Sequence, residues 1–114
     1  MIPTNLSEAM EELDRHFPEN EKEFIMSNPE SRMIEYHSTV GRWIRNNWGL
    51  WAREGELQKW FISKGINHPD DMSGIILTSY WRYKNQKPLV LDGQIKYYQD
   101  YWDKINDKVT QLVE

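Results

Sequence analysis

Arginine, asparagine and tryptophan side chains occur together in the stretch WIRNNWGLW, residues 43–51. Arginine presents a planar fork of donors that binds carboxylate or phosphate groups and stacks on aromatic rings. Tryptophan and arginine are also frequent anchors of protein interfaces. The stretch therefore indicates three alternatives: an aromatic core covered by arginine stems, a face that binds another protein, or a pocket for a small anion or nucleotide.

A second polar group lies in the sequence HPDD, residues 68–71. At the start of a helix, His68 suits the cap position, Pro69 the first helical position, and two aspartates the first turn, where the helix dipole favours anions. Histidine and aspartate also serve as metal ligands and as acid–base catalysts, but a metal site needs three or four converging ligands. Helix capping explains these residues without a metal ion, and no metal or cofactor is expected.

Catalytic residues are not assigned. No serine lies in a strand–turn–helix elbow of the kind that hydrolases use, and no glycine-rich loop is present to hold phosphate. On its apolar helical face, His37 is expected to be a neutral, hydrogen-bonded core residue. The candidate residues for binding a ligand or partner are Arg42, Arg45, Asn46, Asn47, Trp48, Trp51, His68, Asp70, Asp71 and Arg82.

The elements that position these residues are predicted to be helices, because apolar residues recur at spacings of three and four and the alternation typical of strands is missing. The stretch from Met33 to Trp51 is expected to contain the central helix, with Leu50 and Trp51 folding back as an apolar anchor after Gly49. A turn is expected over residues 53–56. The predicted helices span about residues 4 or 7 to 16, 19–27, 30 or 31 to 47, 57–64, 68–84 and 92 to the end.

The last helix is predicted to be long, with Asp92 as its cap. Its apolar residues recur at three and four, as in a heptad seam. Two alternatives follow: the helix packs along its whole length on the domain's own core, or its last turns project and pair with a second copy or another protein. The seam consists of Ile95, Tyr98, Trp102, Ile105, Val109 and Leu112.

Composition limits the class of protein. The 114 residues fit one domain, 1–114, and contain no cysteine, which excludes disulfides and thiolate metal sites. The first residues lack the basic and apolar regions of a signal peptide, and no run is long enough to cross a bilayer, so we expect a cytoplasmic protein without a membrane partner. The net charge of −4 argues against a nucleic-acid partner, although residues 32–89 carry more basic than acidic side chains.

Three blocks resemble a family of small bacterial domains of unknown function. They are WIRNNWGLW at 43–51, KGINHPDDMSGIILTSYWRY at 64–83, and QIKYYQDYW at 94–102. The resemblance covers residues 6–102, and residues 103–114 form a C-terminal extension beyond it. It carries no activity that transfers to this chain.

The sequence therefore predicts an all-α protein, a compact bundle of about five to six helices with an aromatic-rich core and a long C-terminal helix. The favoured function is a small, cytosolic, non-catalytic protein-interaction module, such as an accessory protein, an immunity protein or a phage-derived regulator. The alternative is a pocket protein or small enzyme for an anionic metabolite or nucleotide. Its pocket would be lined by Arg45, Asn46, His68, Asp71 and Arg82.

Overall fold

The computed structural model describes residues 1–52 and 54–113, and within them it contains helices and no strand. The predicted all-α class is confirmed. Arg53, in the predicted turn, and Glu114, at the end of the predicted last helix, lie outside the described residues. The helices are α1 (Leu6–His16), α2 (Glu19–Ser27), a 3-10 helix (Glu30–Tyr36), α3 (Val40–Asn47), α4 (Glu56–Ser63), α5 (Pro69–Lys84) and α6 (Leu91–Val113).

Helix α5 is the centre of the fold, because every other helix packs against it. Gly65, with a φ of +88°, directly follows the C-terminal cap of α4, and Pro69 begins α5 as predicted. Apolar residues cover most of the circumference of α5, as expected for a helix surrounded by others. The expectation that the stretch from Met33 to Trp51 forms the centre was therefore wrong. The fully buried members of α5 include Met72, Ile75, Ile76 and Tyr80.

The predicted continuous helix from Glu30 to Asn47 was also wrong, since the chain breaks between the 3-10 helix and α3. Thr39 has a φ of −115° and a ψ of −89°, outside the helical region. Gly41 permits the break, because a Cβ there would lie only 3.2 Å from the carbonyl oxygen of Tyr36. The carbonyl of His37, freed by the break, accepts a 3.0 Å hydrogen bond from the guanidinium of Arg45.

The core combines aliphatic side chains with buried rings from α4, α5 and the ends of α1 and α3. The rings of Phe17 and Tyr80 stack at 5.0 Å, and Trp48 is buried beside Leu50. Trp51 does not join Leu50 as an apolar anchor, because 61% of its surface is exposed. That prediction was wrong for Trp51 and correct for Leu50.

Helix α6 packs on the domain only along its first half. It begins at Leu91, so Asp92 lies in its first turn and is not its cap. The side-chain amide of Gln94 donates hydrogen bonds to Ser79 Oγ at 3.0 Å and to the Leu89 carbonyl at 2.9 Å. Farther along, Leu112 is 75% exposed. The first half of the predicted seam thus packs on the core, and the last turns of α6 project beyond it.

Candidate functional site

Arg45, one of the predicted site residues, connects α3 to α5. Its side chain is 6% exposed and donates a 2.7 Å hydrogen bond to Ser73 Oγ. Its Nε lies 3.4 Å from the carboxylate of Asp70. Because its donors already bind these groups and the carbonyl of His37, Arg45 stabilises the helix packing and presents no fork to a ligand.

Arg82 lies at the far end of α5, about three turns or 16 Å from Asp71. Its Nε donates a 2.6 Å hydrogen bond to the carboxylate of Glu30, and its Nη1 donates one of the same length to the Leu89 carbonyl. It therefore joins the 3-10 helix to the connection before α6. Arg45 and Arg82 do not surround a common hollow.

The remaining residues of the WIRNNWGLW stretch separate into surface and core. Asn46 and Asn47 are exposed, as is Arg42 just before the stretch, whereas Trp48 is buried. Asn46 accepts a 3.1 Å hydrogen bond from the indole of Trp51, which orients this exposed ring. His37 is half-buried after the 3-10 helix and does not lie on the helical face that the prediction assumed.

The structure does bring Trp51 and the HPDD sequence together, against the first half of α6. Between them lies a hollow of about 510 Å³, which we call the aromatic groove. One wall comes from residues 51 and 68–71, and the other comes from four rings of α6. The lining consists of Trp51, His68, Pro69, Asp70, Asp71, Tyr97, Tyr98, Tyr101 and Trp102.

Sequence reasoning missed the α6 wall as part of a site. It treated Tyr98 and Trp102 as core residues and assigned no role to Tyr97 or Tyr101. The signal was present in QIKYYQDYW, where two pairs of adjacent rings are four residues apart and so share one side of a helix. When two adjacent rings recur four residues apart, one ring of each pair can pack on the core while the other lies at the surface.

His68 occupies the predicted cap position of α5, but its side chain makes no capping hydrogen bond. Instead, its ring stacks on Trp102, with centroids 4.0 Å apart and planes 20° apart. The indole Nε1 of Trp102 donates a 2.8 Å hydrogen bond to Asp71 Oδ2. These contacts fix the carboxylate of Asp71 in the lining of the groove.

Tyr98 lies against α5 because residue 74 is a glycine. A Cβ at Gly74 would lie 2.6 Å from the hydroxyl oxygen of Tyr98, closer than any real contact. Burial raises the pKa of Tyr98 to about 12, and the negative charge of Asp71 adds to the shift. The phenol is therefore a neutral donor at physiological pH.

The groove carries negative charge. Its lining contains Asp70 and Asp71, and a neighbouring hollow of about 500 Å³, on the other side of the His68–Trp102 stack, adds Asp103. Among the residues that the structure describes, neither lining includes a lysine or arginine. In the part of the chain that the structure describes, no ion pair forms with Asp71 or Asp103.

Residues 1–52 and 54–113 show neither a candidate metal site nor a candidate membrane-spanning helix. No group of three or more histidine and carboxylate side chains in these ranges is arranged to hold a metal ion. Within the same ranges, no helix combines the length and the apolar character that crossing a bilayer requires.

The family model for a domain of unknown function, DUF6794, matches residues 2–84. The chain belongs to the DUF6794 family. The predicted resemblance to a domain family of unknown function is thus confirmed. No curated protein and no solved structure matches the chain significantly.

The DUF6794 match ends at Lys84, which is also the last residue of α5. It includes the blocks at 43–51 and 64–83, while the block at 94–102 lies beyond it and stays a resemblance. The groove therefore has two walls of different origin. Trp51 and residues 68–71 form the wall that lies within the DUF6794 match, and α6 forms the wall that lies outside it.

Proposed function

We propose that this DUF6794 protein is a non-catalytic module that binds another protein through the aromatic groove. The observation that supports this proposal is the exposure of three rings around one concave surface: Trp51 is 61%, Tyr97 66% and Tyr101 49% exposed. Exposed aromatic residues around a hollow are typical anchors of protein interfaces. An accessory, immunity or phage-derived regulatory role in the bacterial cytoplasm belongs to the same proposal.

A pocket for an anionic metabolite or nucleotide has less support. Such a pocket needs arginine donors that are free to meet the anion. Arg45 and Arg82 already donate to protein carboxylates, hydroxyls and carbonyls, on different parts of the molecule. The groove itself presents Asp70 and Asp71, which repel an anion.

The experiment is a selection of peptides from a random display library on the purified protein. Binding of the selected peptides is then measured by fluorescence anisotropy to the wild type and to a Trp51→Ala/Tyr101→Ala variant. Trp43→Ala is the matched control, because Trp43 is also exposed but lies on α3, away from the groove. We expect the Kd to rise at least tenfold for the groove variant and less than twofold for the control.

Two results would contradict the proposal. One is a selection that yields peptides binding all three proteins equally, which would place recognition elsewhere. The other is a large library that yields no binding peptide at all. Circular dichroism melting of each variant checks that the fold is retained, which the exposure of both substituted rings leads us to expect.

We propose as a second candidate that the projecting end of α6 pairs with a second copy of the chain. Supporting this is the exposure of Val109, Leu112 and Val113 in its last turns, where apolar side chains lack cover from the described residues. Analytical ultracentrifugation of the wild type and of Val109→Asp/Leu112→Asp tests it. A concentration-dependent dimer that the substitutions abolish is expected, and a monomer at millimolar concentration would rule it out.

A further inference from the structure

We infer that the aromatic groove binds a positively charged side chain, a lysine or an arginine in a segment of the partner protein. This inference rests on the proposed function, because it names the chemistry of what the partner presents. Three features of the groove carry it: the orientation of its rings, the state of its carboxylates, and the absence of cationic residues from its described lining.

The rings of α6 present faces in two directions. Tyr97 and Tyr98 lie edge to face, with centroids 5.1 Å apart and planes 84° apart. Tyr101 and Trp102 repeat this arrangement one turn later, at 5.2 Å and 83°. Trp51 lies on the opposite wall, so the groove is lined by rings of different orientation on both sides, and cations are attracted to the faces of such rings.

The carboxylate of Asp71 is fixed and lacks a cationic partner among the described residues. Its Oδ2 accepts the hydrogen bond of Trp102, a neutral donor that brings no compensating positive charge. The neighbouring Asp70, by contrast, forms an ion pair with Arg45, whose Nε lies 3.4 Å from its Oδ1. A half-buried carboxylate beside a hollow attracts a cation more strongly than an exposed one, because the local dielectric is lower.

Charge complementarity excludes other occupants. An acidic segment or a nucleic acid backbone would bring negative charge against Asp70 and Asp71. A purely apolar segment would remove water from Asp71 and supply no replacement for it, which is costly for a charged group. A lysine or arginine side chain satisfies both requirements, since its apolar stem lies on the rings while its charged end approaches the carboxylate.

The direct test uses small probes and two-dimensional ¹⁵N–¹H NMR, with the indole N–H signals of Trp51 and Trp102 as reporters. The probes are N-acetyl-lysine methylamide and N-acetyl-arginine methylamide, and N-acetyl-norleucine methylamide is the uncharged control for the lysine stem. We expect saturable shifts of both indole signals with at least one cationic probe. Norleucine methylamide is expected to leave them unchanged at the same concentration.

Asp71→Asn removes the charge and keeps an oxygen that can accept the Trp102 hydrogen bond, so the groove retains its shape. Asp107→Asn is the matched control, since it makes the same change of charge on an exposed part of α6 outside the groove. We expect Asp71→Asn to raise the Kd of the cationic probes about tenfold and Asp107→Asn to change it less than twofold. Equal binding to all three proteins would overturn the inference.

The peptide selection separates this inference from the proposed function. Groove-dependent peptides enriched in lysine or arginine would support both. Groove-dependent peptides that lack cations would overturn the inference and leave the proposed function standing. If no peptide depends on the groove, the proposed function fails, and the probe titration still decides whether the groove has an affinity for cations.

Discussion

The indole of Trp102 binds α6 to the first turn of α5, donating a 2.8 Å hydrogen bond to the carboxylate of Asp71 while its face stacks on His68. Farther toward the start of α6, Gln94 makes the only other polar contacts described between this helix and the rest of the chain. Trp102 is therefore a polar attachment that, together with the packing of Tyr98 against α5, holds the second wall of the groove in position.

Replacing Trp102 with phenylalanine removes the N–H donor and retains an aromatic ring. Because a hydrogen bond to a charged group is lost, we expect the free energy of unfolding to fall by about 1–2 kcal/mol. Backbone amides in the middle of α6 should exchange faster, which hydrogen–deuterium exchange measures. Tyr101→Phe is the control, since that ring is exposed, and unchanged exchange in Trp102→Phe would show that the bond does not secure α6.

Arg45 and Arg42 offer a comparison of buried and exposed arginines on one helix. Arg45→Met deprives Ser73 and the His37 carbonyl of their donor, so we expect a loss of roughly 2–3 kcal/mol in the free energy of unfolding. Arg42→Met should change it by less than about 0.5 kcal/mol, as is usual on the surface. Urea unfolding measures both. Similar values for the two variants would mean that the Arg45 contacts contribute nothing to stability.

Gly74 and Tyr98 form a testable pair. Gly74→Ala places a Cβ within 2.6 Å of the Tyr98 hydroxyl, and we expect it to destabilise the protein by roughly 1–2 kcal/mol. In a Tyr98→Phe background the hydroxyl is absent, so the same change should cost far less, or stabilise α5 through the higher helix propensity of alanine. A double-mutant cycle measures this coupling, and strictly additive effects would contradict the packing described.

Asp14 should make stability depend on pH in the acid range. Burial alone would raise the pKa of its carboxyl, but hydrogen bonds from Lys84 and Tyr80, with the charges of Lys84 and Lys22, lower it overall. A depressed folded-state pKa means that the stabilisation is complete above the unfolded value, about 3.9, and is lost as pH falls below it. The window is therefore below about pH 4.

The substitution that tests this is Asp14→Asn. We expect the variant to be less stable than the wild type by about 1 kcal/mol at pH 7, with the difference shrinking as the pH falls from about 4. Urea unfolding across this range measures it, and Asp107→Asn provides the control on an exposed helix end. A difference that stays constant down to pH 2 would show that the charge of Asp14 is not responsible.

Helix boundaries set by local chemistry were predictable from the sequence. Pro69 at the start of α5 and Gly49 and Gly65 after helices act through their own backbone preferences, and the structure has them there. The break near Thr39 was not predictable, because residues 30–47 have helical spacing throughout. The His37 carbonyl freed by the break accepts a hydrogen bond from the Arg45 side chain eight residues later, and helical spacing does not reveal such a contact.

Only one wall of the aromatic groove was predictable from the sequence. Trp51, His68, Asp70 and Asp71 were singled out and do lie together, whereas Arg82 was grouped with them on residue type alone and lies at the other end of α5. Of the α6 rings, Tyr98 and Trp102 were interpreted as members of a heptad seam, and Tyr97 and Tyr101 were given no role. Sequence spacing gives the side of a helix on which a ring lies, but the neighbour that covers it is decided by tertiary packing.

The groove is composite, with one side drawn from the DUF6794 residues and the other from a helix that follows them. Tyr97 and Tyr101, on the outer face of α6, are exposed, so substitutions there carry little penalty for folding. A related chain that keeps residues 68–71 but has different side chains at positions 97 and 101 would select a different partner through the groove. Under the proposed function, diversification of recognition would need only a change of α6, while the bundle beneath stays as it is.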